Sequence, residues 1–249
     1  MARTPGRTQF LGLAFDPIGA EEAARTISAR ARRVESFAYV ATPNVDHIVR
    51  LDRKPELRPF YADAWLNLND SRILEIFAEL SRVFVPAAPG ADIVEQLFRN
   101  HIGRNDTIVV IGASNAIVQA MRNRHGLHDV RWFDAPYGLK DDPAARAQCV
   151  SFIRNNPAPF VFLAVGSPQQ EMIAHEAMTS RDAVGVAICC GAALEFLAGE
   201  TKRAPGWMRA NRLEWLHRLG CEPGRLWRRY LVDGPRILDI WRRWSATPH

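Results

Sequence analysis

Four short runs along the chain are almost wholly apolar: Phe37–Ala41, Thr107–Ile111, Phe160–Val165 and Val184–Cys189. Each ends in small or turn-forming residues and then gives way to apolar positions at helical spacing. Thr42-Pro43-Asn44 leads into Val45, Ile48, Val49 and Leu51, and Gly112-Ala113-Ser114-Asn115 leads into Ile117, Val118 and Met121. Gly166-Ser167-Pro168 leads into Met172 and Ile173, and Cys190-Gly191-Ala192 into Leu194, Phe196 and Leu197. Apolar runs without alternation suit strands covered on both faces. Strands alternating with helical periodicity predict βαβ units with right-handed crossovers. The fold class is therefore α/β, a mostly parallel sheet with helices on both faces. A fifth segment, Ala64–Asp70, alternates Leu with Asn and ends at an acid, ahead of a helix over Ile73–Leu80. In open sheets of this kind ligands bind beyond the carboxyl ends of the strands. Those ends carry Thr42 and Asn44, Gly112–Asn115, Gly166–Gln170 and Gly191, which predicts one shared crevice.

From Thr201 onward the pattern changes. Pro205 opens a helix through Trp207, Met208, Trp215, Leu216 and Leu219, and Gly220 closes it. Arg225–Leu231 and Pro235–Trp244 each set an apolar, Trp-containing face against arginines. Eleven Lys/Arg against four Asp/Glu give this stretch a net +7, whereas residues 1–200 carry −2 and the whole chain +5. Five of the seven tryptophans, Trp207, Trp215, Trp227, Trp241 and Trp244, lie there as well. The division is a core over 1–200 and a basic, Trp-rich helical appendage over 201–249. Such an appendage suits an anionic partner, whether a membrane surface, a nucleic acid or a phosphorylated substrate. Helices packed on the core with a solvated basic face account for the same pattern.

Composition removes several classes. Cys149, Cys189, Cys190 and Cys221 have neither C-x-x-C spacing nor a histidine at ligand spacing, which disfavours structural zinc and fits a reducing compartment. The first residues hold arginines but no apolar signal core, and no run approaches the roughly 18 apolar residues of a spanning helix. A cytoplasmic protein is expected. No D-x-D, H-E-x-x-H or G-x-G-x-x-G pattern is present, so neither a metal nor a nicotinamide cofactor has candidate ligands. A nucleic-acid partner lacks a motif, and the tryptophans fall at helical spacing rather than as a stacking platform.

The candidate chemistry lies at the strand ends. Gly166-Ser167-Pro168-Gln169-Gln170-Glu171 joins a flexible turn to a helix start, where free N–H groups dock anions or carbonyls. Gln170 offers the donor and acceptor that a uracil edge requires, although a plain βα turn with solvated glutamines fits the spacing equally. Thr42 and Asn44 can hold sugar hydroxyls or phosphate, or simply cap the helix from Val45. Asp70 can act as a general base inside a cleft, or as the N-cap of the helix that follows.

The run Gly166–Glu171, the stretch Cys190–Met208, and the continuations Leu213–Arg218 and Glu222–Leu231 resemble the WecG/TagA/CpsF glycosyltransferases. Upstream, Thr42-Pro43-Asn44, Lys54–Arg58 and Ala62-Asp63-Ala64 fit the same pattern. The resemblance implies a Rossmann-like fold and metal-independent, inverting transfer from a UDP-sugar to a polyprenyl-pyrophosphate-linked saccharide. It places the base at Asp70 and a supporting pair at Thr42 and Asn44, with no cofactor. The substrate-binding positions are Gly112, Ser114, Asn115, Tyr137, Gly138, Gly166, Ser167, Pro168, Gln170, Glu171, Gly191, Arg218, Arg225, Arg228 and Arg229. The appendage then completes the site and touches an anionic membrane, making the protein peripheral on the inner face; a homo-oligomer is left open. Two positions depart from many members: Ser71 stands in place of a glycine after the acid, and Pro89 in place of a threonine before Gly90. A side chain at 71 is expected to restrict the backbone beside Asp70. These departures leave a second reading, a non-catalytic membrane-docking subunit of a polysaccharide assembly complex.

Overall fold

The computed structural model describes residues 6–33, 35–199 and 234–246, together with the single positions 205, 208, 220 and 224. Six parallel strands form the central sheet in the order β4-β3-β8-β7-β5-β6. They are β3 (Ala38–Ala41), β4 (Leu66–Asn67), β5 (Ile108–Gly112), β6 (Val130–Phe133), β7 (Phe160–Ala164) and β8 (Val186–Cys189). The four apolar runs read from the sequence are β3, β5, β7 and β8, and they occupy the sheet centre with nearly every residue buried. Successive side chains go to opposite faces. Tyr39, Val109, Ile111, Val161, Leu163 and Ala187 enter one core, while Val40, Ile108, Val110, Phe160, Phe162 and Ile188 enter the other.

The helices divide accordingly. The first core is covered by α2 (Val45–Arg53), α3 (Pro59–Ala62), α4 (Arg72–Leu80), α7 (Pro143–Asn155) and α8 (Gln169–Thr179). The second is covered by α1 (Ala20–Ala31), α5 (Gly90–Asn100), α6 (Asn115–His125) and α9 (Ala193–Ala198). Side chains at the turns start several of them: Asn44 caps α2, Ser71 α4, Ser114 α6 and Asp142 α7.

Two edges differ from the sequence pattern. The alternating segment at Ala64–Asp70 yields only a two-residue strand, because Asn67 and Asn69 are buried along with the leucines. Their amide nitrogens bond internally, Asn67 Nδ2 donating to the Ala14 carbonyl at 2.9 Å and Asn69 Nδ2 to that of Val85 at 3.2 Å. The cover over this edge is a small hairpin, β1 (Thr8–Phe10) and β2 (Leu13–Phe15). Its turn residues Leu11 and Gly12 both take positive φ, as a two-residue hairpin favours. The opposite edge, β6, is half-buried throughout and has no distinct apolar run.

At the C-terminus α10 (Arg236–Ser245) packs on the body beside α2. Ile237 and Ile240 are buried, the Trp244 ring meets Phe10 edge-on at 5.0 Å, and Trp241 lies 5.2 Å from Phe77. Trp241 Nε1 donates to Ser81 Oγ at 2.8 Å, and Arg243 pairs with Asp52 at 2.9 Å. The apolar face of this helix packs on the core, with Trp241 and Trp244 half-buried against it. The helices expected over Pro205–Leu219 and Arg225–Leu231 lie outside the described residues.

Candidate active site

Strand order sets the order of groups along the carboxyl rim of the sheet. Asp70 follows β4, Thr42 and Asn44 follow β3, and Gly191 follows β8. Ser167 and Pro168 follow β7, Gly112–Asn115 ends β5, and Tyr137 and Gly138 follow β6. With strands roughly 4.8 Å apart, the rim from β4 to β6 spans about 24 Å. The chain leaves β5 toward β6 and leaves β7 in the opposite direction toward β8, so a crevice opens between the loops after β5 and β7.

Asp70 is not a helix cap. Ser71 takes that role, its Oγ accepting from the Leu74 N–H at 3.3 Å. The Asp70 carboxylate instead accepts from the Gly90 N–H at 2.7 Å and from Asn44 Nδ2 at 3.2 Å. The first donor belongs to the opening residue of α5, so the positive end of that helix faces the carboxylate. A Cβ on Gly90 would come within 3.3 Å of Thr42 Oγ1, a tight contact, and 3.8 Å of Asp70 Oδ1. Ser71 has φ −135°, an extended conformation open to any residue, so its side chain introduces no strain beside Asp70.

Asn44 both caps and positions. Its Oδ1 accepts from the Asp46 N–H at 3.1 Å and lies 2.8 Å from His47 Nδ1, which turns its NH₂ toward Asp70. Thr42 Oγ1 donates to the Cys189 carbonyl at 3.2 Å, tying β3 to β8 beside the acid.

The loop after β7 is braced from beneath. Arg50 Nη1 donates to Ser167 Oγ at 2.9 Å, the Tyr61 hydroxyl lies 3.2 Å from the same atom, and Arg50 also pairs with Asp46. The Ser167–Pro168 peptide is cis. Gln170 and Glu171 depart from the crevice-facing placement expected of them. Gln170 is buried, donating through Nε2 to Glu171 Oε1 at 2.8 Å and accepting from the Gly191 N–H at 3.0 Å. Glu171 is wholly buried, with its Oε1 3.9 Å from His47 Nε2, and burial raises its carboxyl above the ordinary value. As the second and third residues of α8 they are buried against the first turn of α2 and the loop after β8. In this structure the pair tie three loops together.

On the other side of the crevice Gly112 has φ +81°, and a Cβ there would lie 2.6 Å from Val165 Cγ1 and 3.0 Å from the Ala164 carbonyl oxygen. The floor is thus backbone against backbone. Trp132 Nε1 pins the Gly112 carbonyl at 2.9 Å. Ser114 caps α6, and the first turns of α6 and α8 flank the crevice with their positive ends. Tyr137 is fully exposed at the β6 end. Arg218, Arg225, Arg228 and Arg229 lie outside the described residues. Among the described residues no three His, Cys, Asp or Glu side chains gather as metal ligands would, and no helix is long and apolar enough to cross a membrane.

Residues 8–248 match the family model of the WecG/TagA/CpsF glycosyl transferases. The chain belongs to this glycosyltransferase family. A relative from Bacillus spizizenii, an N-acetylglucosaminyldiphosphoundecaprenol N-acetyl-beta-D-mannosaminyltransferase, is 35% identical over 91 residues. That match covers 36% of this chain and 35% of the relative, so it spans about a third of the relative's length. Within the glycosyltransferase the groups that sequence reasoning missed are His47, Arg50, Tyr61 and the Gly90 N–H. Two of them had a local signal: His47 stands three residues after the capping Asn44, and Arg50 four after Asp46.

Proposed function

We propose that this glycosyltransferase moves a sugar, of hexose or N-acetylhexosamine type, from a UDP-sugar to a saccharide carried on a polyprenyl pyrophosphate, in bacterial surface polysaccharide synthesis. The observation that carries the reading is the placement of Asp70, released from capping by Ser71 and aimed by Asn44 and the Gly90 N–H. The donor lies across the rim, its diphosphate near the first turns of α6 and α8, where helix N-termini favour anions. Tyr137 and Gly138 complete the nucleotide side. Asp70 takes the proton of the acceptor hydroxyl as its oxygen attacks the anomeric carbon. The bond to UDP breaks on the opposite face, UDP leaves with the electron pair, and configuration inverts. Thr42 and Asn44 hold Asp70 and the sugar in register. Arg218, Arg225, Arg228 and Arg229 offset charge on the leaving diphosphate, the task a metal performs in D-x-D enzymes, a motif this chain lacks. The acceptor class rests on the activity named for the Bacillus relative, and the inner membrane face is where such an acceptor is met. The non-catalytic reading rested on Ser71 and Pro89; the capping of α4 by Ser71, which leaves the Asp70 carboxylate to Asn44 and Gly90, supports the catalytic one.

A panel of UDP-sugars, each mixed with a short-chain polyprenyl-pyrophosphate acceptor, tests the reading through UDP release. Release that needs both substrates is expected for at least one donor. A chain that binds no UDP and releases none with any donor contradicts it.

A further inference from the structure

Asn44 aims Asp70, and Asn44 is held in turn by His47, three residues on in the first turn of α2. At 7% exposure His47 is too buried to serve as a substrate contact. Its ring has neighbours on three sides: Nδ1 lies 2.8 Å from Asn44 Oδ1, Nε2 faces Glu171 Oε1 at 3.9 Å, and Tyr61 meets it edge-on at 5.9 Å. Where the ring hydrogen sits decides what Nδ1 does. With a lone pair, Nδ1 accepts from the Asn44 backbone N–H at 3.2 Å, but two acceptors then face each other at 2.8 Å. With a hydrogen it donates to Oδ1, and 2.8 Å is an ordinary N–H···O length. A Glu171 carboxyl that burial holds toward its protonated form does not draw the hydrogen to Nε2. The hydrogen therefore belongs on Nδ1.

We propose that His47 is a positioning residue for glycosyl transfer, setting the direction of the Asp70 carboxylate through the Asn44 amide, a role that rests on Asp70 being the base proposed above. A side-chain amide has two orientations of similar shape, with oxygen and nitrogen exchanged. His47 Nδ1–H and the Asp46 N–H, at 3.1 Å, both demand the oxygen on their side. That leaves Nδ2 to donate to Asp70 Oδ2 at 3.2 Å. Removing His47 takes away one of these two demands. The exchanged amide would set its oxygen against the carboxylate, turning a bond that holds Asp70 into a repulsion. A base misplaced by about 1 Å loses a large share of its rate. His47 thus supports the base without touching the substrate.

Three variants of the full chain separate this role from packing. Phe keeps a ring against Tyr61 and Leu keeps apolar bulk, both without a polar atom, whereas Asn can place a side-chain N–H near where Nδ1 stands. His47→Phe and His47→Leu should each lower kcat in the UDP-release assay about tenfold, with donor KM within about twofold of the parent. His47→Asn should recover turnover to within about threefold of the parent. In an Asn44→Ser background His47→Phe should cost no further turnover, because the amide it acts through is gone. A residue that served packing alone would show the reverse: His47→Asn would be the most damaging, and losses in the double variant would multiply. A crystal structure of His47→Phe, or of His47→Leu where the first does not fold, gives a readout free of turnover. The 3.2 Å contact of Asn44 Nδ2 with Asp70 Oδ2 should be lost. Parental kcat in both apolar variants, multiplying losses in the double variant, or an intact contact in that crystal structure would each overturn the proposal. A parent that releases no UDP with any donor contradicts the glycosyl-transfer reading instead, and the crystal structure still decides the role of His47.

Discussion

The side-chain amide of Asn44 meets two demands. Its oxygen caps α2 and its nitrogen holds Asp70, and a variant can separate the two roles. Asn44→Ser keeps a good cap, so thermal unfolding should report a loss within about 0.5 kcal/mol. Losing the NH₂ that aims the base should nonetheless lower kcat about tenfold or more, with donor KM little changed. Equal activity in the variant would leave Asn44 as a cap alone. Glu171 gives a pH signature. Burial holds its carboxyl above 4.5, so the folded chain keeps that proton to higher pH than the unfolded chain does. The resulting stability is complete below about 4.5 and is lost as pH rises through the raised folded value. Glu171→Gln cannot ionise and still accepts from Gln170. Its melting temperature relative to the parent should therefore climb as pH rises above the ordinary carboxylate range; a flat difference contradicts the burial account. Residue-scale legibility was lowest here, since the spacing of Gln170 fits a uracil edge and a solvated turn equally and Glu171 reads as a substrate contact. Only the packing of α8 against α2 and the loop after β8 shows otherwise.

At the scale of elements, Ser71 and α10 carry the lessons. An Asp-Ser pair ahead of a helix offers two caps, and pattern alone favoured the acid. The structure gives the cap to Ser71, and the Asp70 carboxylate is bonded instead by Asn44 and Gly90. Ser71→Gly, which restores the commoner family residue, should cost only a few tenths of a kcal/mol and leave turnover intact; a large loss of activity would show that Ser71 does more than cap. The apolar stripe of α10 was visible in the sequence, but a stripe of Ile and Trp suits a core as well as a membrane. Its docking predicts that Trp241→Phe costs about 1 kcal/mol in urea unfolding through the lost bond to Ser81. Trp241→Ala should cost about 3 kcal/mol through lost packing on Phe77. Identical stabilities for the two variants would mean that this face bears little load.

For the whole molecule, the four central strands were legible because burial on both faces leaves an unbroken apolar run. The edges were not: β4 is two residues of Leu and Asn under a hairpin, and β6 is half-exposed. The rim was likewise legible as a location, since parallel strands bring their carboxyl ends to one side whatever the chemistry. What the sequence could not convey was the division of labour along it. A row of polar groups, half-buried Asn44 and buried His47, Glu171 and Gln170, lies between the acid after β4 and the loops after β7 and β8. The account makes Asp70 the base, held at one end of that row. Replacing it with the isosteric amide, Asp70→Asn, in the UDP-release assay is the most direct test. Turnover should fall about a hundredfold or more while UDP affinity stays within a few-fold of the parent. Turnover equal to the parent's would contradict the account.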